Sequence, residues 1–79
     1  MRLDKYLKVS RIIKRRTVAN EACDAGRIMV NGKVAKASQG VKPGDIIEIQ
    51  FGSRTFKAEV LSIQETVKKD EALSMYKEI

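Results

Sequence analysis

The sequence contains no histidine, no tryptophan and only one cysteine, Cys23, among its 79 residues. Histidine is the commonest general base and metal ligand near neutral pH, so its absence disfavours both catalysis and a zinc site. A lone cysteine forms no intrachain disulfide, whereas small extracellular domains usually contain several. On a predicted helix beside Ala19 and Ala22, Cys23 is expected to be a small packed hydrophobe. These absences favour a non-enzymatic protein of the cytoplasm with no cofactor and no metal.

Aromatic residues and long apolar runs are also scarce. Only 5% of the residues are aromatic, so aliphatic side chains must form most of one small core. Tyr6 and Tyr76 are the candidates for stacking on a nucleobase, and we expect both to be packed. No stretch is long or apolar enough to span a bilayer or to act as a secretory signal. The glycines lie in separate turns, outside any phosphate-binding strand–loop–helix pattern.

The first half of the chain predicts two helices. From Arg2 to about Ser10, residues Leu3, Tyr6 and Leu7 share one face of a helical wheel. Ile12 and Ile13 do not fit that wheel, so the stretch that follows is predicted to be a connector anchored to the core by one or both isoleucines. The second helix is predicted to begin with Thr17 as its capping residue and to end at Gly26. Its inward residues are predicted to be Val18, Ala22 and Ala25, with Asn20 and Asp24 facing outward.

The second half predicts a small, mostly antiparallel sheet. Asn31-Gly32 is typical of a type I′ hairpin turn between strands that begin at Arg27 and Lys33. Two further strands are predicted over 46–51 and 54–63, with a bulge or strand end where the alternation changes at Leu61. A short helix is predicted from about Lys69. The fold is therefore predicted to be α+β, with one domain over 1–65 and a C-terminal tail over 66–79.

Positive charge is concentrated in one half of the chain. Residues 1–36 contain ten Lys/Arg against three Asp/Glu, a net charge of +7, while residues 37–79 contain six against seven, a net charge of −1. When all of the excess positive charge lies in one half of the chain, the electrostatic field favours a polyanionic partner. Lys14, Arg15 and Arg16 precede a helix N-terminus, where free N–H groups favour a phosphate. The helices lack a base-reading set of side chains, which favours backbone and shape recognition of a folded RNA over DNA.

Four short motifs at a fixed spacing resemble the S4 RNA-binding domain. They are Arg2-Leu3-Asp4-Lys5-Tyr6-Leu7, then Arg16-Thr17 followed by Gly26-Arg27-Ile28-Met29-Val30-Asn31-Gly32-Lys33, and finally Val41-Lys42-Pro43-Gly44-Asp45-Ile46-Ile47. Together they cover residues 2 to about 50, and the combination is far more specific than any single piece. Within the family, the chain is similar to the short heat-shock-protein-15-like branch, and most to its Gram-positive members in ribosome-associated quality control.

This resemblance implies an αL fold and an RNA-binding patch on the two helices. It implies as partner a free large ribosomal subunit carrying a stalled nascent chain, with contacts to large-subunit rRNA and to the P-site tRNA, held while a partner protein adds alanine tails. We expect the free protein to be a monomer with no membrane contact. Carried over by position, Arg2 and Arg16 are the most characteristic cations, and Asp4 either orients an arginine or caps the first helix. The predicted RNA-binding residues are Arg2, Lys5, Lys8, Arg11, Lys14, Arg15, Arg16, Arg27 and Lys33.

Three alternatives remain open from the sequence. A ribosome-assembly or translation factor could use the same patch on rRNA without tRNA. The chain could also be the RNA-targeting module of an RNA-modifying enzyme, because S4 domains adjoin pseudouridine synthases and methyltransferases. A protein-interaction module using a strand edge or the tail would bind in a manner insensitive to salt and to RNase.

Overall fold

The computed structural model describes residues 1–64, 68, 72 and 74–79. Within these residues lie the helices α1 (Leu3–Val9) and α2 (Arg16–Asp24) and the strands β1 (Ile28–Val30), β2 (Lys33–Val34), β3 (Ile46–Phe51), β4 (Arg54–Val60) and β5 (Tyr76–Glu78). The strands form one sheet in the order β2–β1–β3–β4–β5, and each neighbouring pair is antiparallel. This architecture confirms the predicted α+β fold, with two helices ahead of a small antiparallel sheet.

Helix α1 buries the face that its spacing predicts. Leu3, Tyr6 and Leu7 are completely buried in the core. The helix begins after Arg2, whose extended backbone forms an isolated antiparallel bridge with Gly40. The start of α1 is therefore attached to the loop that leads into β3.

The connector between the helices is anchored as predicted. Ile13 is buried and its N–H donates to the carbonyl of Leu7 at 3.1 Å, while Ile12 is half-buried against the core. Arg11 adopts a left-handed backbone with φ of 64°, which turns the chain sharply after α1. The cations on either side of the two isoleucines are thus displayed from a fixed backbone.

The predicted start of α2 is wrong by two residues. Thr17 is not a cap, because the helix already begins at Arg16 and the capping position is Arg15, which provides no side-chain hydrogen bond. The predicted end is confirmed. Gly26 has φ of 72°, and the N–H of Arg27 donates to the Ala22 carbonyl at 3.0 Å, the six-residue bond of a Schellman motif.

The predicted inward face of α2 is wrong for two of its three residues. Val18 is 46% exposed and Ala25 is exposed. Ala22 is half-buried against the core as predicted, and Ala19 and Cys23 are buried. The apolar residues of α2 are small and occur on more than one side of the helix, so they do not by themselves identify the buried face. The side of α2 that contains Arg16 and Asn20 lies against α1. The prediction that Cys23 is a packed hydrophobe is confirmed.

The sheet follows the predicted turns. Asn31 and Gly32 both have positive φ, of 53° and 84°, as a type I′ turn requires. In β3, Ile47 and Ile49 are completely buried on the face that packs against the helices. Strand β4 ends at Val60, so the change of alternation after that residue marks a strand end.

The helix predicted from Lys69 falls mainly on residues outside the described ones. Where the chain is described again, Tyr76–Glu78 is a strand, so the predicted helical alignment of Tyr76 with Ile79 is wrong. The free edge of β4 explains this. Val60 and Ala58 pair with Tyr76 and Glu78, and this pairing satisfies N–H and C=O groups of β4 that would stay unpaired if the C-terminal segment were a helix. The domain boundary at residue 65 stays a prediction.

One buried hydrogen bond joins the two ends of the chain. The hydroxyl of Tyr6 in α1 donates to the carbonyl of Met75 at 2.7 Å. Burial, with the nearby Tyr76, raises the pKa of Tyr6, so this hydroxyl keeps its proton as a donor at any physiological pH. The Met75 carbonyl also accepts the backbone N–H of Leu61 at 2.8 Å. The helices are thus tied directly to the segment that enters β5.

Replacing Tyr6 with phenylalanine should lower the free energy of unfolding by about 1 kcal/mol, the usual net value of one neutral hydrogen bond. The loss is small because the Met75 carbonyl keeps its bond from Leu61. Urea denaturation followed by circular dichroism measures the change. A loss above about 3 kcal/mol would mean that the ring, and not the hydroxyl, is what the substitution disturbs.

Candidate nucleic-acid interface

The carboxylate of Asp4 lies between the two helices, and only 1% of the side chain is exposed. Asp4 belongs to the first turn of α1, where its Oδ1 accepts the backbone N–H of Lys5 at 2.8 Å. A negative charge in the first turn of a helix is stabilised by the helix dipole. The carboxylate still has room for several donors, and these come from outside α1.

Two arginines bind Asp4, each through two N–H groups. Arg2 donates from Nε to Oδ1 and from Nη2 to Oδ2, both at 3.2 Å. Arg16 donates from Nε to Oδ2 at 3.1 Å and from Nη2 to Oδ1 at 3.4 Å. Two-pronged contacts of this kind fix the plane of a guanidinium as well as its position. Asp4 therefore orients both arginines. Within the first turn of α1, its carboxylate accepts a backbone hydrogen bond from Lys5.

The outer sides of both guanidinium groups remain available. A guanidinium has five N–H donors, and Asp4 takes two from each arginine, so about three remain on each. No other hydrogen-bond acceptor among the described residues engages them. The side chains of Arg2 and Arg16 are 52% and 45% exposed. Two positive charges against one carboxylate leave the cluster with a net positive charge facing solvent.

Asn20 completes this cluster, and the sequence interpretation missed it. Its Nδ2 donates to Asp4 Oδ2 at 2.9 Å and to the Arg16 carbonyl at 3.2 Å. Arg16 and Asn20 stand four residues apart and so share one face of α2. That spacing, with a carboxylate in the preceding helix, is the signal that could have identified Asn20. We call Arg2, Asp4, Arg16 and Asn20 the Asp4 cluster.

The Asp4 carboxyl is held in its ionised form. Burial alone would raise its pKa, but the hydrogen bonds from Arg16, Asn20 and the Lys5 N–H, together with the Arg16 charge, outweigh that effect. The pKa therefore lies below its ordinary value of 3.8. An ionised Asp4 is what keeps the two arginines pointing in their observed directions.

The remaining predicted residues of the helical half belong to α1 and to the connector that leads into α2. Lys5 and Lys8 belong to α1, with Lys5 half-buried and Lys8 exposed. Arg11, Lys14 and Arg15 are exposed in the connector. No side chain caps the N-terminus of α2, and no acidic residue lies in its first turn. Helix α1 and the connector therefore contribute further cations to the half of the chain that contains the Asp4 cluster.

Arg27 and Lys33 lie elsewhere. Arg27 follows the end of α2, a helix about 13 Å long at 1.5 Å per residue, and Lys33 opens β2 at the edge of the sheet. Neither makes a hydrogen bond or ion pair with the Asp4 cluster. The predicted site residues thus form one group around α1 and the start of α2, with two outlying members.

Two other kinds of site have no candidate in the described part of the chain. No group of three or more cysteine, aspartate and glutamate side chains is placed there to hold a metal ion. No helix there combines the length and the apolar character that crossing a bilayer requires. The Asp4 cluster and the further cations of α1 and the connector are therefore the candidate interface.

Comparison with known proteins shows which family the chain matches. The S4 domain family model matches residues 1–47, which include both helices and the first two strands. The chain is 57% identical over 96% of its length to the RQC P-site tRNA stabilizing factor of Halalkalibacterium halodurans, and covers 86% of that protein. It is 55% identical over the same share to the factor of that name from Bacillus subtilis, covering 88% of it.

A solved structure supports the fold over the whole chain. Heat Shock Protein 15 of Vibrio cholerae, solved as a trimer, superposes with a TM-score of 0.91 at 30% sequence identity. The superposition covers 100% of this chain and 81% of that one. The resemblance stated from the motifs is thereby confirmed.

Replacing Asp4 with asparagine should lower the free energy of unfolding at neutral pH by about 2 kcal/mol, because two arginines would be left without a charged acceptor. The stability due to Asp4 depends on pH in one direction. Because its pKa is depressed in the folded state, this contribution is present above the ordinary value of 3.8 and is lost as the pH falls through the folded value. Urea unfolding across a series of acidic pH values measures both effects.

Asp24→Asn is the matched control, because Asp24 is an exposed acidic residue of the neighbouring helix. It should change stability by less than about 0.5 kcal/mol. Equal acid dependence in the Asp4 and Asp24 variants would show that the cluster does not stabilise the fold.

Proposed function

The chain belongs to the S4 domain family, and to the group of its members named RQC P-site tRNA stabilizing factor; from this we propose that it binds P-site tRNA on a stalled ribosome and holds it there. The observation that carries the proposal is the 57% identity over 96% of the chain with a protein of that name. The name describes holding an RNA and no chemical reaction, which agrees with a protein that acts by binding and is not an enzyme.

The geometry of the Asp4 cluster supports recognition of a phosphate backbone. Arg2 and Arg16 are held by one carboxylate with about three N–H groups each directed away from it. Guanidinium groups bind phosphates through paired hydrogen bonds, and fixing their planes beforehand reduces the entropic cost of binding. The cations of the connector add a longer-range attraction that grows as salt is lowered.

Several finer points belong to the same proposal. We propose that large-subunit rRNA contacts the remaining predicted cations, namely Lys5, Lys8, Arg11, Lys14, Arg15, Arg27 and Lys33. We also propose that the protein acts as a monomer in the cytoplasm, where ribosomes work. The net charge of +7 over residues 1–36 supports a ligand that approaches this half of the molecule. Because its Vibrio relative was solved as a trimer, the mass of the free protein in solution is the measurement that tests the monomer.

The double variant Arg2→Ala/Arg16→Ala should bind large subunits carrying P-site tRNA more weakly than wild type. The slope of log affinity against log salt concentration should become shallower by about 0.7 to 0.9 for each phosphate that the variant no longer neutralises. Binding is measured by co-sedimentation at several salt concentrations. Because both alanines remove partners of the buried Asp4, urea unfolding of the variant first establishes the conditions under which it is folded.

Lys57→Ala/Lys77→Ala is the matched control, since it also removes two positive charges, from exposed positions in β4 and β5. It should leave both affinity and salt slope nearly unchanged. Equal weakening in the two double variants would mean that only total charge matters. Equal wild-type affinity for subunits with and without P-site tRNA would favour an rRNA-binding assembly factor instead.

A further inference from the structure

Phe51 has an aromatic ring that the fold leaves uncovered. It is the last residue of β3, and its side chain is 49% exposed. Ile47 and Ile49 precede it on the same face of the strand and are completely buried. The helices therefore cover this face of the sheet only up to Ile49. Strand β3 continues beyond them, and the ring of Phe51 is exposed to solvent.

Arg54 lies directly beside Phe51. The two residues flank the Gly52-Ser53 turn and are paired across β3 and β4, so they project from the same face of the hairpin. Both line an open depression of about 260 Å³, together with Thr55, Phe56 and Glu78. Sites that enclose a whole small-molecule ligand are usually larger, at about 300–1,000 Å³. This volume suits one planar group that remains partly in solvent.

The wall of this depression is held in place by packing. Phe56 is half-buried and makes an edge-to-face contact with Tyr76 of β5, with the ring centroids 6.1 Å apart and the planes at 67°. Contacts of this geometry stabilise an aromatic pair beyond simple burial. The exposed ring of Phe51 thus stands beside a second ring that is already held on its other side.

The charges of the depression select among ligands. Arg54 makes no ion pair within the described residues, so its charge is available to an anion. Glu78, which also lines the depression, disfavours an anion at its centre but can accept hydrogen bonds from an amino group. A nucleotide combines the required parts, because it has a planar base with edge donors and a phosphate at a distance from the base. Every nucleobase also has a flat face that can stack on an aromatic ring.

The hairpin end is adjacent to the helical half of the molecule. The N–H of Gln50 donates to the carbonyl of Arg27 at 2.9 Å, and Arg27 directly follows α2. A nucleic-acid chain that leaves the Asp4 cluster and runs along α2 therefore reaches Arg27 and then Phe51. The cations along this route are Arg16, Arg27 and Arg54.

We propose that the end of the β3–β4 hairpin binds one unpaired nucleotide of RNA, with its base stacked on Phe51 and its phosphate paired with Arg54. This inference rests on the proposed function, because it assumes that the ligand of the helical half is RNA. It adds a second contact that distinguishes an RNA with an unpaired nucleotide from a continuous duplex.

A single-tryptophan variant tests the stacking directly. The chain contains no tryptophan, so Phe51→Trp places the only indole at the proposed site. We expect an RNA hairpin with a short single-stranded overhang to quench the fluorescence of this variant, and the same hairpin with a blunt end to leave it unchanged. Binding of the overhang RNA without any change in fluorescence would overturn the proposal.

Affinity measurements with two further variants separate the base contact from the phosphate contact. Phe51→Leu and Arg54→Ala should each weaken binding of the overhang RNA by roughly fivefold or more, because a stacked base contributes substantially to affinity. Neither should affect the blunt hairpin. Leu61→Ala is the control, since Leu61 is similarly exposed but lies outside the depression, and it should bind both RNAs like wild type.

The outcomes distinguish failure of this inference from failure of the proposed function. If wild type binds neither RNA nor ribosomal subunits, the proposed function fails. If wild type binds both RNAs and Phe51→Leu binds them equally well, only the hairpin site is wrong. A concentration-dependent increase in mass that Phe51→Leu abolishes would show that a second copy of the chain occupies the depression, which also overturns the proposal.

Discussion

The buried Asp4 carboxylate holds the two helices and both characteristic arginines in one arrangement. A charged group with 1% of its side chain exposed is costly unless donors surround it. Here the donors come from Arg2 ahead of α1, from Lys5 within α1, and from Arg16 and Asn20 in α2. The packing of α2 on α1 therefore depends on this contact as well as on apolar burial. The same contact presents two guanidinium groups to solvent with their planes fixed.

This arrangement makes the candidate interface part of the fold. The arginines satisfy Asp4 with one side of each guanidinium and leave the other side open to solvent, so the contact that stabilises the folded chain also orients the groups that we propose bind a phosphate. Behind them, the connector is fixed by Ile13 in the core, and Tyr6 joins α1 to the segment before β5. In the proposed function, a phosphate backbone therefore meets groups that give up little freedom on binding, which favours affinity.

The end of the β3–β4 hairpin has an exposed aromatic ring, that of Phe51, outside the helical half of the molecule. The sequence interpretation considered only Tyr6 and Tyr76 as stacking groups, and the structure shows Tyr6 completely buried and Tyr76 half-buried against Phe56. Phe51 shares a face of β3 with the buried Ile47 and Ile49, because alternate residues of a strand project to the same side. It is exposed because the helices end short of it. How far a layer reaches over a sheet is a property of the assembled fold, which strand periodicity does not contain.

The elements with local signals could be predicted from the amino-acid sequence alone. The type I′ turn at Asn31-Gly32, the left-handed Gly26 and the buried face of α1 all follow from backbone preferences or from clear apolar spacing, and the family followed from motif spacing. Other features are compatible with more than one local structure, and only the packing of the folded chain specifies them. In α2 small residues occur on several sides of the helix, and the Asp4 contact together with the burial of Ala19 and Cys23 fixes which side faces inward and brings in Asn20. At the C-terminus, Tyr76–Glu78 forms a strand because β4 offers an open edge, and that edge exists only once the sheet has formed.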